Sequence, residues 1–384
     1  MATKKPVRRA AKRSAAKRTA RRPARRALKR TTRAVAKKAA AKKVAGKLRL
    51  SMMTGSYEIV RALKEGEVKP KGIDLVIGGF PGTGAIHDRV AEGKACDINE
   101  FNGGHYIMQK ALGRDDITAI PVFLHRRFRH GFIYINKAKV KEPKDLIGKR
   151  IGSVSLGPAA NYWMRGYLDE LGVPHRSITW VIDRSDDQDR NAPKDLKIEM
   201  APKGRRTYDM LLTGEIEGAL SPSITRMIGE GDPRVARLFP NYEEVEADYY
   251  RRTGIFPIMH VTTVPTRIVE KHPWVVESLT HAFEAAKQLA YKRLLNPRVV
   301  PFAWYRTYWE QERAMFGPDP WEYGLSARNR KNYDTLVGYV HAQLLTGRPR
   351  PRLEDLFAKE AFEIELPLPR FHELDYAAEG GGRG

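Results

Sequence analysis

The chain has 384 residues, 42% of them hydrophobic, a formal net charge of +24 and one cysteine, Cys96. That length accommodates two lobes of ordinary domain size. No stretch approaches the roughly eighteen consecutive apolar residues needed to span a bilayer. A single cysteine excludes an intramolecular disulfide and any cysteine-rich zinc site.

The charge is unevenly placed. Residues 1–47 hold 20 Lys and Arg and no Asp or Glu, which leaves 49 basic against 45 acidic residues in the remainder. The opening segment is low-complexity Ala, Lys and Arg, too poor in large apolar side chains to bury a core, and is expected to be a disordered tail. Its charge suits non-specific contact with nucleic acid or another polyanion through counterion release. A solubilising extension or an organellar transit peptide are the alternatives. No apolar stretch follows the arginine pairs as a secretory leader requires, so a cytoplasmic location is expected.

From Leu48 short apolar runs alternate with amphipathic segments, the pattern of an α/β fold with largely parallel strands. LRLSMM (48–53) reads as a strand, SYEIVRALKEG (56–66) as a helix and GIDLVIG (72–78) as a strand. The glycine-rich GGFPGTG (78–84) lacks both the Gly-Lys-Ser/Thr ending of a phosphate loop and the spacing of a dinucleotide site, and reads as a flexible loop. A helix over 85–92, a strand through DINEF, a helix over 106–112 and strands over 117–123 and 131–135 follow.

A second unit opens after KVKEPKDLIGKR. IGSVS (151–155) reads as a strand, and GPAANYWMRGYLDELG as a helix with Pro158 in its first turn and Gly172 past its end. ITWVID (178–183) and EGALSP (217–222) read as strands, GIFPIMHVTTV (254–264) as extended, and HPWVVESLTHAFEAAKQLAYKRLL as a long helix. Segments 124–137 and 250–260 are the expected crossovers between the units. The resulting division is a tail (1–47), lobe 1 (48–137), lobe 2 (138–250), and a return to lobe 1 with a C-terminal helical extension (251–384). Ligands of such folds bind beyond the carboxyl ends of strands, between the lobes.

HRRFRHGFIYI (125–135) leads into that cleft. Strand alternation puts Arg127 and Arg129 on one side and His130 on the other. The arginines suit a carboxylate clamp, which lysine forms less well; a solvated or salt-bridged pair is the alternative. SLGPAANYW offers a helix start with Ser155 and Asn161 as added donors, and TGSYEIVR supplies Ser56, Tyr57 and Arg61. His87, His105, His125, His130 and His260, with Asp88 or Glu100, are possible metal ligands, but their spacing carries no ligand signature. No metal and no cofactor are assigned. Serine-hydrolase, zincin and calcium-loop motifs are missing from the sequence.

The segments YEIVRALKEGEVKPKGIDL, AIPVFLHRRFRHGFIYIN, GEIEGALSP, RLFPNYEEVEADYYRRTGIFPIMHVTTV, HPWVVESLTHAFEAAK and DPWEYGL, in order over nearly all of 48–360, resemble the 4,5-dihydroxyphthalate decarboxylase family. The resemblance implies a two-lobed α/β fold of type II periplasmic-binding-protein kind, with a C-terminal helical extension and the basic tail outside it. It also implies non-oxidative loss of carbon dioxide from a hydroxylated aromatic carboxylate held between the lobes. Where that family's cleft loop usually reads Pro-Glu-Tyr or Pro-Glu-Trp, this chain has Val154-Ser155-Leu156-Gly157, which removes a carboxylate and a ring and implies a different substrate contact.

On that reading Arg127 and Arg129 clamp a carboxylate with Arg252 contributing, His130 or His260 is the acid, and Glu100 or His105 is the partner of a phenol. Ser56, Tyr57, Ser155 and Asn161 complete the ligand shell. The competing expectation is a non-catalytic binding protein for a small anion, like the solute-binding component of an ABC transporter, using the same arginines without a proton donor.

Overall fold

A computed structural model describes residues 46–79, 81–220, 231–296 and 298–369. The basic segment and its expected polyanion contact therefore lie outside the described residues, apart from its last two positions, as do Phe80 of the glycine-rich loop and the ends of the expected EGALSP segment and C-terminal extension.

The first sheet is built from β1 (Leu48–Met53), β2 (Ile73–Ile77), β3 (Ile98–Asn102), β4 (Ile117–Ile120) and a strand that returns much later, β11 (His260–Pro265), in the order β2-β1-β3-β11-β4. Helices α1 (Glu58–Glu65), α2 (Thr83–Ala91) and α3 (Gly103–Ala111) connect its early strands. The second sheet holds β5 (Ile133–Asn136), β6 (Arg150–Ser153), β7 (Thr179–Ile182), β8 (Lys197–Met200), β9 (Gly218–Leu220) and β10 (Val235–Arg237), ordered β10-β5-β9-β6-β7-β8. Its helices include α4 (Ala159–Glu170) and α5 (Thr207–Thr213); α6 (Tyr242–Thr253), α7 (Trp274–Leu294), α8 (Tyr305–Phe316) and α9 (Ala327–Leu344) follow.

Local sequence explains the elements well. In α1, Ile59, Val60, Ala62 and Leu63 form the buried stripe, while Arg61 lies on the exposed side paired with Glu65, and Gly66 closes the helix at φ 80°. Expected strands and helices from 48 to 124 and from 150 to 220 appear within a few residues of their expected bounds. Strand direction differs from expectation, since both sheets are mixed. β11 runs antiparallel to β3 and β4, and β5 antiparallel to β9 and β10. The chain enters the second sheet by an extended crossover and leaves it through α6 followed by another, and each crossover delivers its strand in reverse.

The crossovers run side by side. Arg126 bridges Ile258, the Arg127 amide donates to the Pro257 carbonyl (3.0 Å), and the Met259 amide donates to the His125 carbonyl (2.9 Å). α9 braces both. Asn332 accepts from the Ile258 amide (3.1 Å) and donates to the Phe256 carbonyl (2.5 Å), and Asn329 accepts from the buried Arg126 guanidinium (2.6 Å). From α4, the Trp163 indole donates to the Ile258 carbonyl (3.0 Å).

Two expectations are corrected here. Residues 250–253 are the last turn of α6, not extended chain, and Arg252 pairs there with Asp248 one turn away, its side chain 59% exposed. HRRFRHGFIYI is not one strand. His130–Phe132 forms a single 3₁₀ turn before β5, and the Glu246 carboxylate accepts from the Gly131 amide inside it (3.2 Å). Residues 127–129 lie outside any strand, so the two-residue alternation does not hold there, and Arg127 is exposed whereas Arg129 is buried.

Candidate functional site

β3 reads INEFN, three polar residues in five, yet every residue of it is buried at the centre of the first sheet. Burying polar groups costs free energy unless they are paired, and Glu100 is paired completely. Its carboxylate accepts from the Gly55 amide (2.7 Å), the Tyr57 hydroxyl (2.7 Å) and His260 Nδ1 (2.5 Å).

The register explains the convergence. In the β3–β11 pair Thr262 stands opposite Glu100 and His260 opposite Asn102, so all four lie on one face and His260 reaches Glu100 diagonally. Gly55 and Tyr57 come from the loop after β1, at the carboxyl end of a parallel strand, where ligands of open α/β sheets bind. Lys64 of α1 holds that loop by donating to the Thr54 (2.8 Å) and Gly55 (2.7 Å) carbonyls. A Cβ at Gly55 would sit 2.5 Å from the Tyr57 ring, so only glycine lets Tyr57 fold back onto Glu100.

Two further imidazoles stand beside this group. The His87 ring is 4.5 Å from that of His260, the His125 ring is 4.9 Å from it, and Tyr57 stacks on His125 at 6.2 Å. Burial pushes His260 down to about 3, helped by the Arg129 charge and His105, and pushes His125 down to about 2, helped by His260 and Arg129. His87 is held well below the ordinary value, first by burial and then by His260. Burial and the Glu100 charge raise the Tyr57 phenol. His260 is thus a neutral imidazole whose proton sits on Nδ1, because a carboxylate only accepts, and Nε2 is its basic atom.

The two sheet units meet beside this cluster. Asn102 Oδ1 caps α3, accepting from the Gly104 (3.0 Å) and His105 (3.3 Å) amides, and also accepts from the Ala159 amide that opens α4 (2.9 Å). His105 lies 3.6 Å from Asp186. Burial would raise Asp186, but His105 and the Gly157 amide outweigh it and hold the carboxyl at about 2. A Cβ at Gly157 would sit 2.4 Å from His105 Nε2, so the loop that departs from the Pro-Glu-aromatic pattern approaches His105 as only glycine can.

Arg129 supplies the cation. Its side chain is buried, its Nε has no hydrogen-bond partner, and its Nη2 lies 3.4 Å from His125 Nε2. Burial and the Arg127 charge lower it to about 10, so it remains charged at neutral pH. No carboxylate among the described residues pairs with it. The Arg127 and Arg129 guanidinium carbons lie 4.8 and 5.1 Å from the centre of the Phe132 ring, so both converge there despite the broken alternation.

Other expected members stand apart. His130 is stacked on Tyr167 (3.8 Å between ring centres) with Tyr249 and Phe239 nearby, and its Nδ1 lies 3.8 Å from Glu246. Burial, then Arg252, lowers His130 to about 4, and burial raises Glu246 to about 7. Between those values both groups are neutral, and their contact is not an ion pair. Ser155 and Asn161 brace the loop between β6 and α4, the Asn161 amide donating to the Ser155 carbonyl (2.6 Å) and to Ser153 Oγ (2.8 Å). Ser56 is exposed. Arg252, on the solvent face of α6, makes no described contact with the cluster. A cavity of about 360 Å³ is lined by Tyr57, Leu124, Tyr291, Trp309, Glu312 and Trp321 among others; neither Glu100 nor His260 lines it.

Sequence reasoning grouped His87, His125 and His260 with Glu100, but did not place Glu246 near the arginines or Asp186 near His105. The polar residues of INEFN were the one signal available for the centre of the site.

Residues 56–212 match the family described as NMT1/THI5 like. The chain is 33% identical over 331 residues to 4,5-dihydroxyphthalate decarboxylase of Comamonas testosteroni, covering 83% of this chain and 99% of that protein. It is 32% identical over 213 residues to 4,5-dihydroxyphthalate decarboxylase of Pseudomonas putida, covering 53% of this chain and 82% of that protein. Among solved structures it is similar to the periplasmic sulfonate-binding protein SsuA of Methylobacillus flagellatus, with a TM-score of 0.51 at 14% identity over 83% of this chain and 94% of that one. At that identity the likeness shows the fold, which is the expected periplasmic-binding-protein fold. Among the described residues no helix is long and apolar enough to cross a membrane.

Proposed function

The chain belongs to the 4,5-dihydroxyphthalate decarboxylase family, and we infer that it removes carbon dioxide non-oxidatively from a hydroxylated aromatic carboxylate bound beside Glu100, His260 and Arg129. The observation that carries this reading is the buried Arg129, which no carboxylate among the described residues pairs with, near a neutral His260 held by Glu100. A buried guanidinium without a carboxylate is costly unless an anion completes it, and a carboxylate of the substrate does so with bidentate geometry.

The chemistry follows from the same groups. His260 Nε2 takes the proton of a ring hydroxyl, and Glu100 fixes the tautomer and stabilises the imidazolium. The phenolate pushes electron density to the ring carbon bearing the second carboxylate, which accepts the imidazolium proton. The carbon–carbon bond then breaks, carbon dioxide leaves and the ring regains aromaticity. The hydroxyl regains its proton from water, so one proton is consumed per carbon dioxide released and no oxidant is needed. The low pKa of free His260 keeps its Nε2 unprotonated and open to the hydroxyl proton while making it a weak base, so the first step leans on Glu100, and the imidazolium so formed is a strong acid for the second. His105, paired with Asp186, is assigned to a second hydroxyl.

Incubating the full chain with 4,5-dihydroxyphthalate and with mono- and dihydroxylated benzoates, and measuring carbon dioxide release, tests this reading. Saturable binding of these acids without release would leave a binding protein and overturn it. We further propose that residues 1–47 supply the polyanion contact, on their composition. Equal retention on DNA by the full chain and by a chain beginning at Leu48 would refute that assignment.

A further inference from the structure

Glu100 and His260 belong to a group whose third member, His87, has no part in the mechanism above. One nitrogen from each histidine and one oxygen of Glu100 lie within 4.8 Å of one another. They come from α2, β3 and β11, so no sequence spacing announces them. We propose that His87, Glu100 and His260 bind a divalent first-row transition-metal ion.

Several independent features support this. His87 Nε2 is completely buried and has no hydrogen-bond partner, and such an orphan in a folded core calls for a partner. Two imidazoles and a carboxylate are the donor set preferred by ions such as Zn²⁺, Fe²⁺ and Co²⁺, rather than by Mg²⁺ or Ca²⁺. Gly55 and Tyr57, which donate to Glu100, orient the carboxylate as the outer partners of metal ligands do. Metal–nitrogen bonds of about 2.0–2.1 Å place tetrahedral donors roughly 3.3 Å apart. The group must therefore draw together by small side-chain rotations when the ion enters.

The site stands on these residues alone; only its chemical use rests on the decarboxylase reading. A bound cation there would favour ionisation of a substrate hydroxyl, the task otherwise given to His260.

The test uses the full chain, freed of metal by a chelator and titrated with Co²⁺ while its visible d–d absorption is followed. The expected result is a band saturating at one Co²⁺ per chain. The His87→Gln and His260→Gln variants should weaken it by roughly 100-fold or more, beyond what loss of an outer partner costs. The exposed His281→Gln variant should leave it unchanged. Should the site variants fail to fold, paramagnetically shifted imidazole signals from two histidines in the unaltered chain carry the same information. No saturable band, or a band that survives His87→Gln in a folded variant, would overturn the proposal. The two readings fail separately. Carbon dioxide release by chelated protein that shows no cobalt band would keep the decarboxylase and remove the ion, whereas cobalt binding without release would do the reverse.

Discussion

Glu100 and His260 stand 160 positions apart in the chain and meet at 2.5 Å in the centre of the first sheet, with Glu100 completely buried. Their contact is diagonal across an antiparallel strand pair. It exists only because β11 returns to the first sheet after the chain has built the second. A one-residue slip of that pairing would carry His260 to the other face.

Replacing Glu100 with Gln preserves volume and an acceptor for Gly55, but removes the charge that fixes the His260 tautomer and stabilises its imidazolium. Turnover of the hydroxylated aromatic acid should fall by roughly 10²-fold or more, with ligand affinity changing far less. Steady-state kinetics read beside a direct binding titration separate these effects. Equal losses in both would assign Glu100 to binding instead.

Arg129 and Arg127 should behave differently because one is buried and the other exposed. Arg129→Lys keeps the charge and loses the planar fork, so affinity for an aromatic carboxylate should drop by roughly 10-fold or more. Arg127→Lys should change affinity by only a few-fold, in a salt-dependent way. Isothermal titration at two salt concentrations distinguishes them.

Glu246 gives stability a definite pH dependence. Its folded-state value is about 7, above the ordinary 4.5. The folded form therefore binds more protons in this window, and the stability contributed below 4.5 is lost as pH rises through 7, by about 3 kcal/mol. His130 acts oppositely: its value falls from 6.5 to about 4, so its contribution is lost as pH falls through that window. Glu246→Gln should thus gain thermal stability relative to the parent between pH 5 and pH 8, measured by melting at each pH. A constant difference would show that Glu246 is not titrating there.

Asn332 tests how α9 holds the crossovers. Asn332→Ala leaves the buried Ile258 amide without its acceptor and removes a donor from the Phe256 carbonyl. Leaving such groups unpaired costs roughly 2–3 kcal/mol. Urea unfolding should show this loss, and hydrogen exchange should quicken at Ile258. An unshifted midpoint would mean that water replaces the side chain fully.

Much of the architecture was legible in the sequence because it depends on local periodicity. The stripe of α1, the strand LRLSMM and the helix after Pro158 each carry their own pattern. Arg129 was legible only as a candidate, its charge standing out in a nearly neutral body, and its burial was decided by the fold. His130 and Arg252 were misplaced for a common reason. Both sit where a local turn overrides the regional pattern, in a 3₁₀ turn that ends strand alternation and in the last turn of a helix read as extended chain.

The sequence by itself determined the α/β class, the separation of a basic segment from a nearly neutral body, the family, and the residue types able to bind and protonate an aromatic acid. Tertiary structure alone decided which of them meet. Strand order and register, set by long-range pairing rather than by neighbours in the chain, bring Glu100 to His260, and the helix packed beside β3 brings His87 to the pair. Burial then sets their charge states, because desolvation depends on everything packed around a group and not on the residues next to it in sequence.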